Sequence, residues 1–427
     1  MKFDTVIIGG GLSGMVAGIT LQKAGQRTAI ISTGQNALHF FSGSFESLKE
    51  PDQRILELFS EAGVRLHYSP GVWLTPLGNF KESALSLEDI DLFPSPKFAR
   101  KVLLVNFLGY HDFFSSFLAE GLEKQGMSCR VRFLNLPEME KLEQSPSEMR
   151  SVQIARTMDR LWEKVVQEVR VLLKDEDAVV LPQVFGLQDT SVPGRIRQGI
   201  PARVVFAGTL PPSVPGVRTQ ILLKQRYQLL GGTYLMGDEV VRAHTHEGVV
   251  HSVATKNLDS HYMEADNFIL STGSYFSKGL ISNPFQVYEP VFGLDVEYKE
   301  DRNQWYNPSF QEDQPYMHFG VKADDKLHAL KDGKPLENLY VAGSVLGGTH
   351  PEFGMAAGQA IRTALAAADQ ILRRSAPQDD KGARSCHSDD PHCHSGDSHC
   401  HSDDPHCHSD DPHCHSERSE ESKNVQA

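Results

Sequence analysis

The 427-residue chain is 40% hydrophobic and 23% charged, the balance of a soluble globular protein long enough for two or three domains. Its net charge of −13 is uneven: from Ser375 onward there are 12 acids and 4 bases, so the rest carries only −5, which does not favour nucleic acid as a partner. No run of about 18 apolar residues spans a bilayer, and Cys129 is the one cysteine before the tail, which excludes a disulfide framework and fits a reducing cytosol.

The first 32 residues predict a β-α-β unit. Phe3 to Ile8 reads as an apolar strand, and it leads into glycines rather than a signal-peptide cleavage site. Leu12 to Ala24 has helical periodicity, with Gly25 as its C-terminal stop, and Thr28 to Ile31 is the second strand. From Lys101 a second α/β pattern starts. Strands are predicted at Val102–Val105, Cys129–Leu134, Ala178–Leu181 and Ala202–Phe206, with helices at Phe113–Lys124 and Val152–Leu173. After Gly216 a helix runs to about Leu230. Strands follow at Thr233–Met236, Glu239–Ala243, Val249–Thr255 and Asn267–Leu270, and Glu247-Gly248 marks a hairpin turn. Leu339 to Ala342 is a late strand, and Gly358 to Arg373 an Ala-rich helix. The expected fold class is α/β: a Rossmann-like dinucleotide/flavin-binding fold with an inserted α/β domain and a disordered C-terminal tail. Residues 1–94 and 206–374 form the discontinuous flavin-binding domain, 95–205 the insert and 375–427 the tail.

The tail repeats cysteine every seven residues, from Cys386 to Cys414, in copies such as Cys-His-Ser-Asp-Asp-Pro-His. It lacks apolar a and d positions and contains proline, so it is no coiled coil but a low-complexity segment. Its nine His and five Cys are ligand types for zinc, nickel or copper. A seven-residue repeat also arises by slippage of a tandem repeat in the coding sequence, and that plainer reading is preferred. No metal site is assigned.

Between the first strand and helix lies Gly9-Gly10-Gly11-Leu12-Ser13-Gly14, a G-x-G-x-x-G loop in the strand–loop–helix context that a phosphate-binding turn requires. Gly9 permits the turn, Gly11 lets a phosphate approach the backbone, and Gly14 allows close strand–helix packing, while the helix N-terminus offers N–H groups to the anion. The second strand ends in Ser32-Thr33-Gly34, where an acid normally holds an adenosine ribose. Either a hydroxyl substitutes weakly or the ligand lacks the adenosine half, as FMN does. Two apolar strands ending in small residues, before Thr272-Gly273 and before Gly343-Ser344, and the cluster Gly354-Met355-Ala356 favour a flavin over a nicotinamide. A helix starting near Gly354 directs N–H groups at an electron-rich ring edge.

With these segments in place, the chain resembles the family of the B subunit of anaerobic glycerol-3-phosphate dehydrogenase. The resemblance runs through Phe3-Asp4-Thr5-Val6-Ile7, Gly34-Gln35 with Ala37-Leu38-His39-Phe40, Ser42-Gly43-Ser44, Thr75-Pro76-Leu77-Gly78, Thr209-Leu210-Pro211-Pro212-Ser213, Gly237-Asp238-Glu239-Val240 and Gly343-Ser344-Val345-Leu346-Gly347-Gly348. It covers about residues 1–374; residues 45–70 look shorter than the family's usual segment. It implies an FMN-bearing protein with two partners: an FAD-containing catalytic subunit, and an iron–sulfur subunit that is membrane-associated. The complex passes electrons from sn-glycerol 3-phosphate to the quinone pool, with dihydroxyacetone phosphate as product. The location implied is the cytoplasmic side of the inner membrane, peripheral through the partner subunits.

The residues expected to hold the flavin are Gly9, Gly10, Gly11, Leu12, Ser13, Gly14, Ser32, Thr33, Ser42, Gly43, Ser44, Val240, Thr272, Gly273, Gly343, Ser344, Gly354, Met355 and Ala356. For proton transfer the candidates are His39, His111 and His350, each more often structural than catalytic at such positions, so no catalytic residue is assigned. No phosphate clamp stands out, and the FAD-containing partner is an alternative place for hydride transfer. Two other functions stay open at this level: a stand-alone FAD oxidoreductase of the succinate/fumarate type, and a metal-handling protein acting through its tail.

Overall fold

The computed structural model describes residues 2–375, apart from 35, 47, 49, 145–148, 259–260, 310–311 and 349–355. The tail expectation, from 376 on, lies outside the described residues. In chain order the elements begin with β1 (Lys2–Ile8), α1 (Leu12–Lys23), β2 (Thr28–Ser32), α2 (Gln53–Glu61), β3 (Leu66–Leu74) and β4 (Phe80–Leu87). Next come β5 (Lys101–Phe107), α3 (Ser115–Lys124), β6 (Ser128–Leu134), α4 (Glu140–Glu143), α5 (Ser151–Leu172), β7 (Ala178–Pro182), α6 (Val192–Gly199) and β8 (Arg203–Ala207). Then follow α7 (Val214–Leu229), β9 (Thr233–Met236), β10 (Val240–His246), β11 (Val249–Thr255), β12 (Met263–Leu270), β13 (Ile281–Ser282), β14 (Val287–Tyr288), β15 (Val296–Glu297), β16 (Gly320–Val321), β17 (His328–Lys331), β18 (Lys334–Val341) and α8 (Ala356–Ser375).

Val6-Ile7-Ile8 is apolar without alternation, as a parallel strand buried on both faces must be. In the structure β1 pairs in parallel with β2 on one side and β12 on the other. Strand β9 continues the sheet beyond β2, and β18 lies parallel to the second half of β12. The first half of that same edge of β12 pairs antiparallel with β11, which forms a hairpin with β10. The strand period of two divides the core cleanly. Ile7, Ile30 and Ile269 pack with α1 and α8 on one face, while Val6, Ile8, Ile31 and Leu270 pack under the 280–346 segment on the other. Each buried side chain of this size contributes about 1.5–3 kcal/mol. Gly18 brings α1 down onto this layer, since a Cβ there would lie 2.9 Å from both Ile30 and the Tyr227 ring.

A second sheet, all parallel, has the order β6-β5-β7-β8. It has its own core, built on Val102 to Val105, Val179 and Val180, with Leu118, Ile154 and Val169 from the covering helices. The carboxyl ends of its strands β7 and β8 lead into Gln183 and Gly208-Thr209, the side of a parallel sheet where ligands bind. Between the two sheets in sequence sits the β3–β4 hairpin. Trp73 packs into the core of the first sheet and Leu74, one residue on, into that of the second.

Most expected strands and helices are present, with ends moved by a few residues. α7 starts at Val214 rather than after Gly216, because the Ser213 hydroxyl accepts from Gly216 N and Pro215 suits the first turn. β12 begins at Met263, four residues before Asn267. The turn at Glu247-Gly248 has φ of 50° and 79°, the left-handed pair that a two-residue hairpin needs. The β3–β4 hairpin was not expected. Pro70 and Gly71 argue against a strand, yet they fall where its register shifts, and a side chain at Gly71 would meet the Phe93 carbonyl at 2.4 Å.

Candidate functional site

β1 and β2 end at one edge of the first sheet, and the loop after β1 turns there into α1. The N-cap of α1, Gly11, has no side-chain cap, so the first-turn N–H groups are open to a ligand. Gly9 has φ +119°, and a Cβ on it would sit 2.2 Å from the Ser271 carbonyl oxygen. Gly14 would meet the Gly9 carbonyl at 1.9 Å, which is the close strand–helix contact its position demands. Gly11 differs: nothing lies within 4 Å of where its Cβ would be. That open space belongs to a cavity of about 970 Å³.

Gly9, Gly10, Gly11, Leu12, Ser13, Ser32, Thr33, Ser42, Ser44, Val240, Thr272, Gly273 and Ser344 all line this cavity. Gly14, Gly43 and Gly343 stand behind its wall. Gly43 packs on Ile90 with φ +98°, and Gly343, with φ +83°, packs on the Ser13 side chain. Gly354 and Met355 lie outside the described residues. Ala356 opens α8, whose Ala357 and Ala360 reach the cavity. Of the histidines, His39 is turned to Gln220, with its Nε2 2.9 Å from Oε1, and does not line the cavity. His111 is exposed on the loop after β5, and His350 lies outside the described residues.

Several wall residues escaped the sequence reading. Asn36 is buried and donates from Nδ2 to the Gly10 carbonyl at 2.8 Å, while its Oδ1 accepts from Leu38 N. It therefore fixes the phosphate loop from the far side. Trp73, Thr75, Asn79, Lys81, Gln183 and Thr209 also line the wall, from the β3–β4 hairpin and the carboxyl ends of β7 and β8. Glycine spacing gives no signal for any of them; Thr75 and Thr209 fall in stretches that carry the family resemblance, and the others are single polar or aromatic residues outside any motif.

The wall is mostly apolar, and some of its few polar groups are unsatisfied. Ser44, Trp73 and Thr272 line it, and their Oγ, Nε1 and Oγ1 atoms are buried without a hydrogen-bond partner among the described residues. Each such group costs about 1–3 kcal/mol unless something bound supplies its partner. The end of β2 offers hydroxyls and no carboxylate. Nearby, Asp238 is committed to the protein. Burial opposes its charge, but the Thr255 hydroxyl and the backbone N–H groups of Asn257, Glu239 and Lys256 outweigh that and hold its carboxyl below the usual range. An open helix N-terminus, a glycine cradle and unpartnered donors together fit a phosphorylated, oxygen-rich cofactor such as a flavin.

Comparison with known proteins agrees with this geometry. The family model described as an FAD binding domain matches residues 4–58 and 53–358. The chain is 36% identical over 419 residues to the B subunit of anaerobic glycerol-3-phosphate dehydrogenase from Pectobacterium carotovorum, covering 87% of this chain and 99% of the relative. It is 34% identical to the protein of the same name from Yersinia enterocolitica, over 87% and 98% of the two chains. Among solved structures, 3-ketosteroid delta1-dehydrogenase from Sterolibacterium denitrificans superposes with a TM-score of 0.40 at 9% identity, over 87% of this chain and 100% of that one. On its fold, its glycine cradle and near full-length identity to these relatives, the chain belongs to the flavin-binding oxidoreductase family of the anaerobic glycerol-3-phosphate dehydrogenase B subunit.

Proposed function

We propose that this chain is the FMN-bearing subunit of a quinone-linked dehydrogenase that oxidises sn-glycerol 3-phosphate to dihydroxyacetone phosphate. The family supports the reaction. The observation that carries FMN over FAD is the end of β2, where Ser32 and Thr33 line the cavity in place of a ribose-binding carboxylate. The N–H groups at the start of α1 hold the phosphate, and Asn36 keeps the loop in register. Ser42, Ser44, Thr272, Gly273, Val240 and Ser344 contact the rest of the cofactor, and the 354–356 segment completes the site. A bound flavin supplies a two-electron acceptor. Two partners complete the path to quinone, one FAD-containing and catalytic, the other a membrane-associated iron–sulfur protein. They place this chain peripherally on the cytoplasmic face of the inner membrane. Among the described residues no helix is long and apolar enough to cross a membrane. The separate sheet and core of residues 101–207 support reading 95–205 as a domain inserted into the flavin-binding fold.

The test is to purify the protein, denature it and chromatograph the released flavin. FMN is the expected product. One observation favours a second reading: the cavity continues past Thr33 to Glu239 and Val240, where a carboxylate from the next strand connection faces the same space. Release of FAD alone would overturn the FMN assignment and give Glu239 the role of the missing acid.

A further inference from the structure

β12 ends beside β1, with Leu270 opposite Ile8, at the carboxyl edge where a parallel sheet binds its ligand. The chain that leaves it folds into one tight turn. Ser271, Thr272 and Gly273 line the cavity, and a single 3-10 turn at Tyr275–Ser277 follows. Lys278 N donates to the Tyr275 carbonyl at 3.1 Å and Gly279 N to the Ser274 carbonyl at 3.1 Å. Gly279 leaves no room for a Cβ against the Gly273 carbonyl, so the turn lies back on the end of β12. Lys278 itself has φ 61° and ψ 20°, a left-handed conformation that Gly or Asn usually supplies. The fold holds a lysine at a position where local backbone preference disfavours one.

The ionisable residues that line the cavity are Glu46, Lys81, Asp238, Glu239 and Lys278. Lys81 is paired with Glu46, and Asp238 is held by the Thr255 hydroxyl and backbone N–H groups. Lys278 is exposed, and its side chain has no hydrogen bond or ion pair among the described residues. It is therefore the lining cation without a counter-ion among them. Two hydroxyls border the same turn. A Cβ on Gly273 would lie 3.0 Å from Ser277 Oγ and 3.6 Å from Ser344 Oγ. Both serines line the cavity, and neither side chain has a hydrogen-bond partner among the described residues. An ammonium group can only donate, and a hydroxyl can donate or accept. The ligand that matches an unpaired cation beside hydroxyls is an anion with several oxygens.

We propose that the turn after β12 binds the phosphate group of a phosphorylated small substrate, with Lys278 Nζ as its charge and Ser277 Oγ as a second donor. The inference rests on the function proposed above for the identity of that substrate. The charge and the hydroxyls are properties of the turn alone. The cofactor phosphate is assigned to the start of α1, so the turn is a second anion position in the same cavity. The closed turn fixes the root of the lysine side chain, and its flexible four-carbon stem lets the ammonium group meet the anion as it enters.

Calorimetric titration of the flavin-loaded protein with sn-glycerol 3-phosphate, inorganic phosphate and glycerol tests this. The two phosphates are expected to compete for one site that glycerol does not occupy. Lys278→Gly removes the ammonium group and adopts the left-handed backbone freely, so it is expected to melt like the unaltered protein. Lys278→Met keeps the length of the side chain and removes the charge. Each is expected to raise the dissociation constant for both phosphates about ten-fold or more, with Lys278→Arg keeping most of the affinity and flavin content unchanged throughout. Unchanged affinity in the Gly and Met variants, or no saturable phosphate binding by the unaltered protein, overturns the site. Loss of flavin in both variants assigns Lys278 to the cofactor and overturns it as well. Inorganic phosphate binding that depends on Lys278, without discrimination in favour of glycerol 3-phosphate, leaves the anion site standing and tells against the substrate proposed for the whole protein.

Discussion

At the scale of single residues, Gly11 and Gly14 look alike in the motif and do opposite things. Gly14 is required by the fold, because its missing Cβ leaves room for the Gly9 carbonyl. Gly11 has φ −76° and ψ −171°, extended backbone open to any residue, and faces empty cavity. Gly11→Asp is therefore expected to fold normally and to lose its flavin. A carboxylate against the phosphate adds a like charge in a partly enclosed site, worth several kcal/mol, or more than about 100-fold in affinity. The measurements are thermal melting of the flavin-free protein, which should match the unaltered chain, and flavin content after purification. Stoichiometric flavin in the variant would make the loop a simple turn. The glycines were readable in advance because backbone geometry dictates them. Asn36, Trp73 and Lys81 were not. Their importance comes from tertiary placement, since Asn36 matters only when the chain folds back on Gly10, and Trp73 only when the hairpin lines the cavity.

At the scale of elements, a buried ion pair ties α7 to the segment just after β4. Arg218 on α7 donates to Asp89 at 2.7 Å and to the Gly186 carbonyl at 3.1 Å, and Gln183, just past β7, donates to the other Asp89 oxygen. Burial opposes the charge on Asp89, but the Arg218 guanidinium outweighs it and holds the carboxyl below its ordinary value. Arg218→Met leaves that carboxylate buried without its cation, at an expected cost of about 3–5 kcal/mol at pH 7. The pH dependence has a definite sign. In the unaltered protein the depressed pKa gives stability that is full above the unfolded value of about 3.9 and is lost as pH falls through the folded one. In the variant, burial without the cation raises the folded pKa, so stability returns as acid protonates Asp89. Urea unfolding at pH 7 and pH 5 should show the gap between the two proteins narrowing on acidification; a gap that widens refutes this account.

The same elements show why part of the fold was legible and part was not. β1, β2, β5, β7 and β8 carry apolar runs that reflect burial on both faces, and α1 is apolar nearly all round for the same reason. The hairpin β3–β4 hides behind Pro70 and Gly71. α6 and the two-residue strands β13 to β16 are too short for periodicity to register, and their geometry is set by what they pack against. The Arg218 ion pair, with residues 129 positions apart, is invisible to any local pattern.

At the scale of the whole molecule, the described fold closes with α8, which ends at Ser375. A chain truncated there loses nine His and five Cys but almost no apolar side chains, so no part of either core goes with it. Flavin content, and the subunit assembly and quinone reduction proposed above, are expected to be unchanged. A large drop in any of these, reversed by zinc or nickel in the full-length protein only, would assign the repeat a metal-dependent role.

The pairing of β1 with β12 has a consequence for how the protein is made. Their partners stand more than 250 positions apart, as Lys2 with Glu264, whereas every strand of the second sheet falls within residues 101–207. At about 5–20 residues per second, a ribosome exposes β1 roughly 10–50 s before it has made β12. During that interval the second sheet is completed in the nascent chain, at a point where the first sheet has only β1 and β2; β9, β10 and β11 follow before β12. The edge of β1 that β12 will cover, lined by Val6, Ile7 and Ile8, must wait unpaired. Chain order therefore finishes the sheet of residues 101–207 first and the cavity-bearing sheet last, so a flavin enters a chain that is nearly complete.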